Sequence, residues 1–305
     1  MLQKFFKYHG AGNDFLLVDN RDGLLSLSAE QVRCLCDRHT GFGADGVMLL
    51  ERSETKDFRM LFYNPDGSGG MMCGNGGRCI VAFASDLGVV SGNFPVEFEA
   101  PDGVHTAVIL NEAKNLRASM NDRFIRLKMN DVSSVTIYPE DNACFLDTGT
   151  RHLVRFVSGL EDYPVREEGR ALRHDPRFAP EGTNVNFVEP VILSEAKNPD
   201  PSASLRMTTK SLLRIRTFEK GVEDETLACG TGIVASAVAS CFKGIEGEAS
   251  PDGRVSYDVR AAISDLKVDF IPSGKGPGFK AKDIWLTGPA VFVGTVECFI
   301  YYVIN

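Results

Sequence analysis

Met72-Cys73-Gly74-Asn75-Gly76-Gly77 recurs later in the chain as Ala228-Cys229-Gly230-Thr231-Gly232-Ile233. Each copy puts one cysteine just before a small, glycine-rich turn. Each then enters an apolar stretch with a glycine beyond it: Cys79-Ile80-Val81-Ala82-Phe83-Ala84 up to Gly88, and Val234-Ala235-Ser236-Ala237-Val238-Ala239 up to Gly244. That order predicts a loop feeding a helix N-terminus, with glycine past the helix end. A thiol at such a place feels the positive end of the helix dipole and unpaired N–H groups, which lowers its pKa. One such cysteine suggests a nucleophile; two on matching elements suggest a pair of bases serving one centre.

Both post-cysteine helices read as apolar nearly all round, so each must be buried on every side. The rest of the chain is rich in short strands. Strands are expected at Phe5–His9, 15–19, 47–50, 58–63, 143–147, 153–157, 184–188 and 213–218. A capped helix runs from Ala29 to Arg38, with Ser28 as N-cap and Gln31 at the capping-box spacing. The cheapest burial for the two apolar helices is inside curled sheet. The fold class is therefore α/β (α+β), with two pseudo-symmetric halves, each a mostly antiparallel, barrel-like sheet around a central helix. The halves are placed at 1–133, carrying Cys73, and at 134–292, carrying Cys229.

At 305 residues, 43% hydrophobic and 24% charged, the composition is that of an ordinary globular protein of two domains. The net charge of −8 disfavours nucleic acid and acidic membrane surfaces as partners. With no signal-like opening and no apolar run of spanning length, a cytoplasmic location is expected. Eight cysteines in such a chain read as free thiols rather than a disulfide framework. Cys34 and Cys36 lack the partners of a metal site, and Cys79, Cys144, Cys241 and Cys298 read as small buried hydrophobes. No metal and no cofactor is expected: nothing marks a Schiff-base lysine or a dinucleotide-binding turn.

A second repeat is of another kind. Val108–Asn115 recurs as Val191–Asn198 with one difference in the eight residues, at an offset unlike that of the cysteines, so it is not the domain duplication. Both copies continue into polar sequence, and the segments around 111–121 and 192–209 read as extended surface loops without a functional role.

His9-Gly10-Ala11-Gly12-Asn13-Asp14-Phe15, Tyr63-Asn64-Pro65-Asp66-Gly67-Ser68 with the first cysteine motif, Gly182-Thr183-Asn184-Val185-Asn186-Phe187, Glu219–Gly232 and Trp285-Leu286-Thr287-Gly288-Pro289-Ala290 together resemble the diaminopimelate epimerase family. The resemblance spans nearly the whole chain apart from the two extended segments. It implies a cofactor-independent isomerase that inverts one α-carbon of LL-diaminopimelate to give the meso form, a precursor of lysine and peptidoglycan. It implies a small-molecule substrate and a C-terminal strand, at 293–305, that returns to complete the first half, and a homodimer is the expected assembly. Cys73 and Cys229 would be the catalytic pair, with His152 and Glu219 matching residues thought to tune the thiols. Asn13, Asn64 and Asn184 would hold polar groups of the substrate, Glu219 and Lys220 would sit beside it, and Gly74-Asn75 with Gly230-Thr231 would donate to its carboxylate.

Five positions depart from the family pattern. Lys220 stands where arginine is usual, and Thr150-Arg151-His152 replaces Asn-Pro-His. Gly46 replaces a common glutamine and Gly69 a common acidic residue. These bear on the grip on the distal end of the substrate more than on the reaction type. The competing readings are a proline or hydroxyproline racemase of the same superfamily, an isomerase relative without the cysteine pair, and a non-catalytic redox-sensing thiol protein. Asn75, where the racemases usually carry histidine, argues against the first, and the cysteine pair against the second.

Overall fold

The computed structural model describes residues 2–92, 94–110, 122–193 and 210–300. It divides into two compact units, Met1–Lys128 with Thr287–Asn305, and Met129–Leu286. The expected surface loops lie largely outside the described residues; of the eight-residue repeat, only Val108–Leu110 and Val191–Leu193 are described, and both end strands.

In the first unit the strands are β1 (Leu2–Gly10), β2 (Asn13–Asp19), β3 (Val47–Glu51), β4 (Phe58–Tyr63), β5 (Pro95–Ala100), β6 (Gly103–Leu110) and β7 (Asp122–Lys128). Each pairs with the next, in parallel at β2–β3 and β4–β5 and antiparallel elsewhere. The last strand of the chain, Lys280–Phe299, begins in the second unit and continues into the first. There it pairs antiparallel with both β7 and β1, closing an eight-stranded barrel with no free edge.

Two helices account for the buried faces. The first, α1 (Ala29–Cys36), carries both reciprocal bonds of its Ser28–Gln31 capping box. It ends two residues before the expected Arg38, because Asp37 is extended and its carboxylate accepts the N–H groups of His39 and Thr40. Its Val32 and Leu35 join one cluster with Phe5, Leu16, Val18, Val47 and Leu49. The second, α2 (Gly74–Asp86), packs on β1, β2, β3, β6 and β7, and is buried from Gly74 to Ala84. Strand β2 is thus covered on both faces, which is why Phe15–Val18 is a continuous buried run rather than an alternation.

The second unit contains β8 (Thr136–Tyr138), β9 (Ala143–Asp147), β10 (Arg151–Phe156), β11 (Asn184–Leu193), β12 (Lys210–Glu219), β13 (Asp224–Thr226), β14 (Glu248–Ala249), β15 (Val255–Arg260) and β16 (Asp265–Ser273). Antiparallel pairs join β8 to β9, β9 to β10, β11 to β12 and β15 to β16, and parallel pairs join β10 to β11 and β12 to β15. On one face α3 (Val165–Arg173) packs on β11 and β12. Gly169 allows this approach: a Cβ there would lie 2.4 Å from Phe218. Helix α4 (Gly230–Phe242) packs on β9, β10, β11, β12, β15 and β16, and its Ser236 and Ser240 hydroxyls donate to carbonyls one turn back. Each unit is therefore sheet wrapped around one buried helix, as the apolar patterning requires. Among the described residues, no helix is long and apolar enough to cross a membrane.

Candidate active site

Cys73 is the N-cap of α2, in extended conformation, and its sulfur accepts the Gly76 N–H at 3.2 Å. The other end of the helix stops at Leu87, with Gly88 at φ 68° as the left-handed terminator. Asn13, the first residue of β2, presents its Oδ1 to this N-terminus, 3.9 Å from Cys73 Sγ and 3.4 Å from Asn75 Nδ2. The orientation of that amide is set behind it, because Nδ2 donates to Asp45 Oδ2 at 2.7 Å and Asp45 is in turn paired with Arg38. The approach is allowed by the two-residue turn Ala11-Gly12, both at positive φ, and by Gly10, where a Cβ would meet the Asn75 backbone at 3.0 Å.

Asn75 is buried, and its Oδ1 accepts from Arg78 Nη2 at 2.8 Å. Arg78 is wholly buried inside the barrel; it also donates to the carbonyls of Gly74 and Pro289. Burial pushes its guanidinium below its ordinary value, a shift that a thiolate beside it, at Cys73 above all, would oppose. Asn64 turns back on its own loop, donating to Ser68 Oγ and the Gly69 carbonyl.

In the second unit Cys229 is likewise the extended N-cap of a helix, 6% exposed. The two caps differ: the Cys229 side chain accepts no N–H from its helix, and its sulfur lies 3.4 Å from Thr231 Oγ1 instead. His152, on β10, is completely buried, and desolvation pushes its pKa down to about 3, so the ring is neutral. Its Nε2 lies 2.9 Å from Thr150 Oγ1 and its Nδ1 3.0 Å from Asn186 Nδ2. Glu219 accepts from Thr226 across the β12–β13 hairpin. Asn184 is satisfied by backbone, accepting from Lys220 N–H and donating to the Arg151 carbonyl; the Lys220 side chain is exposed. Asn184 thereby fixes the turn carrying Glu219 and Lys220.

None of the eight cysteines is in a disulfide. Burial raises the thiols of Cys79, Cys144, Cys241 and Cys298, and pushes Cys36 up to about 12, which keeps them protonated and inert. Cys79 and Cys144 are buried as expected, but Cys241 and Cys298 are only half-buried, each being the last residue but one of its element. Sequence reasoning passed over Arg78, Asp45, Asn186 and Thr217. Asn186 was readable from the period-two spacing to Asn184, which puts both on one face of β11; Arg78 was hidden by the apolar run around it.

The fold itself has close parallels. A phenazine biosynthesis protein of the PhzF family from Bacillus anthracis superposes with a TM-score of 0.68 at 14% identity, covering 98% of this chain and 99% of that one. A probable proline racemase from Agrobacterium radiobacter K84 superposes with a TM-score of 0.61 at 14% identity, over 97% and 93%. These likenesses define the class of fold. The diaminopimelate epimerase family model matches residues 5–124 and 144–256. Diaminopimelate epimerase of Chlorobaculum tepidum is 45% identical over 76% of this chain and 80% of its own length. That of Flavobacterium psychrophilum is 38% identical over 95% and 98%. The chain belongs to the diaminopimelate epimerase family, and it is an isomerase.

Proposed function

We propose that this protein epimerises LL-diaminopimelate to meso-diaminopimelate with Cys73 and Cys229 as its two bases and without a cofactor. The observation that carries the reading is that two motif cysteines each cap the N-terminus of a buried helix, each in a unit of the same plan. Inversion of a carbon acid needs a base on one face and an acid on the other. One thiolate removes the α-proton and becomes a thiol; the opposite thiol delivers its proton to the other face and becomes the thiolate. Protons balance over the turnover, and the protonation states of the pair end exchanged, ready for the reverse direction.

Removing a proton next to a carboxylate builds charge on that carboxylate. The N–H groups of Gly74-Asn75 and Gly230-Thr231, in the first turns of α2 and α4, are the donors suited to receive it. Asn13, held by Asp45, and Asn64 offer amides to the polar ends of the substrate. Glu219 and Lys220 lie on the turn that Asn184 holds. His152 supports the second thiol.

The assembly is proposed to be a cytoplasmic homodimer. Leu2 and Phe299 are register partners on β1 and the last strand, each 52% exposed, and a second copy of the chain would cover them. Light scattering should report twice the chain mass.

The activity is tested by incubating the purified protein with LL-diaminopimelate, resolving the stereoisomers and following α-hydrogen exchange in heavy water. Formation of the meso isomer with exchange, lost in both Cys73→Ala and Cys229→Ala, is expected. Turnover of proline or hydroxyproline in its place, or substantial activity in either alanine variant, would overturn the reading.

A further inference from the structure

The two capping sulfurs are supported differently. Cys73 accepts a helix amide from Gly76, whereas Cys229 accepts none from its own helix. Within the shared Cys-Gly-x-Gly the difference is one residue: Asn75 in the first motif is replaced by Thr231 in the second, and Thr231 brings a hydroxyl to 3.4 Å from the Cys229 sulfur.

That hydroxyl is the end of a chain. Thr231 Oγ1 lies 3.0 Å from Thr150 Oγ1, and Thr150 Oγ1 lies 2.9 Å from His152 Nε2. The direction of the chain is fixed from the buried end. Asn186 Oδ1 accepts the Thr217 hydroxyl at 3.0 Å, and Asn186 Nδ2 also faces the Leu153 carbonyl, which can only accept. Nδ2 therefore donates to His152 Nδ1. Burial keeps the ring neutral, so its single proton is on Nε2 and donates to Thr150. Thr150 then donates to Thr231, and Thr231 donates to sulfur.

We propose that Thr150 and Thr231 form a one-way hydroxyl relay that passes the hydrogen-bond polarity of neutral His152 to Cys229 and holds its thiolate. This rests on the reading of Cys229 as a base. Both threonines are positioning residues: they act through the sulfur. The relay is also what Thr150 supplies in place of the asparagine usual at its position. A hydrogen bond to the charged form of a thiol lowers its pKa. Because every donor points at sulfur, removing a hydroxyl destabilises the thiolate and leaves the thiol nearly untouched.

The experiment is alkylation of Cys229 by iodoacetamide as a function of pH, read by peptide mapping in the Cys73→Ala background so that only one active-site thiol titrates. Thr231→Val should raise the alkylation midpoint by about 1 pH unit, the size of a hydrogen bond to a charged group. Thr150→Val should raise it by less, and should add nothing once Thr231 is valine. Thr150→Ser and Thr231→Ser keep the hydroxyls and should restore the original midpoint. With Cys73 intact, the acid limb of kcat should move by the same amount while KM stays put. An unmoved midpoint in Thr231→Val, or a full Thr150→Val shift without the Thr231 hydroxyl, would overturn the relay. Failure of the two-base reading shows separately, as retained epimerisation in Cys229→Ala.

Discussion

Arg78 Nη2 and Asn75 Oδ1 are 2.8 Å apart, one turn along the same helix, with the guanidinium 0% exposed. No carboxylate pairs with Arg78 among the described residues. A buried charge without a counter-charge is costly. Its ionisable neighbours are Cys79, which burial keeps protonated, and Cys73. A thiolate at Cys73 is the anion that would complete this environment.

Replacing Arg78 should therefore act on both stability and the thiol. Arg78→Met leaves Asn75 Oδ1 and the Gly74 carbonyl without their donor, and should cost about 3 kcal/mol in denaturant unfolding. Arg78→Lys keeps the charge but loses the fork that serves several acceptors at once. It should retain more of the Cys73 thiolate, read as the pH midpoint of Cys73 alkylation. If the midpoint is the same in Met, Lys and wild type, the guanidinium does not act on Cys73.

Asp45 is the handle on Asn13. Its carboxylate accepts from Asn13 Nδ2 and from the Asp14 N–H, and it pairs with half-exposed Arg38. Asp45→Asn permits the Asn13 amide to turn over. It should lower kcat about tenfold through misplacement of the amide, at a stability cost under about 1 kcal/mol, as an exposed ion pair contributes little. Equal turnover in wild type and variant would show that the amide's orientation does not matter.

His152 gives a pH dependence with a definite sign. Its pKa is about 3 folded, against 6.5 for an ordinary histidine, and the ring is wholly buried. Below 6.5 the unfolded chain binds a proton that the folded one refuses. Stability from this group is whole above 6.5 and falls as pH drops toward 3, by about 1.4 kcal/mol per pH unit at most. His152→Gln should flatten the unfolding free energy over that window relative to wild type. Parallel profiles would mean that the ring is protonated in the fold.

What the sequence made legible was local. The cysteine motifs, the Ser28 capping box and the glycine stops at Gly88 and Gly244 each state their geometry within a few residues, and each is found. The closure of the first barrel was not so legible. Its last strand pairs with β1 and β7 from far along the chain, a register that no local pattern encodes. Strands β5 to β7 went unread for a related reason: β5 and β6 alternate only partly, and their partners are set by tertiary pairing. At the site, the residues that touch sulfur were named from motifs. Those that orient them, Asp45, Arg78 and Asn186, are ordinary polar residues until the fold brings them behind Asn13, Asn75 and His152.

Gly46 is the departure from family pattern that the structure explains most directly. A Cβ built there would lie 2.4 Å from the Phe62 ring and 2.7 Å from the Tyr63 carbonyl, and one at Gly70 would lie 2.3 Å from the other side of the same ring. Phe62 is buried between the two glycines and meets Phe15 edge-on at 5.9 Å. The glutamine usual at position 46 is therefore excluded by the partner strand of this chain. Gly46→Ala and Gly46→Gln should each destabilise by about 2–3 kcal/mol, as overpacking does. Phe62→Leu in the same molecule should recover only part of the loss, because the Tyr63 carbonyl is backbone and cannot withdraw. Denaturant midpoints of the singles and the double variant decide it. Additive losses, with no recovery in the double, would show that the ring is not what confines position 46.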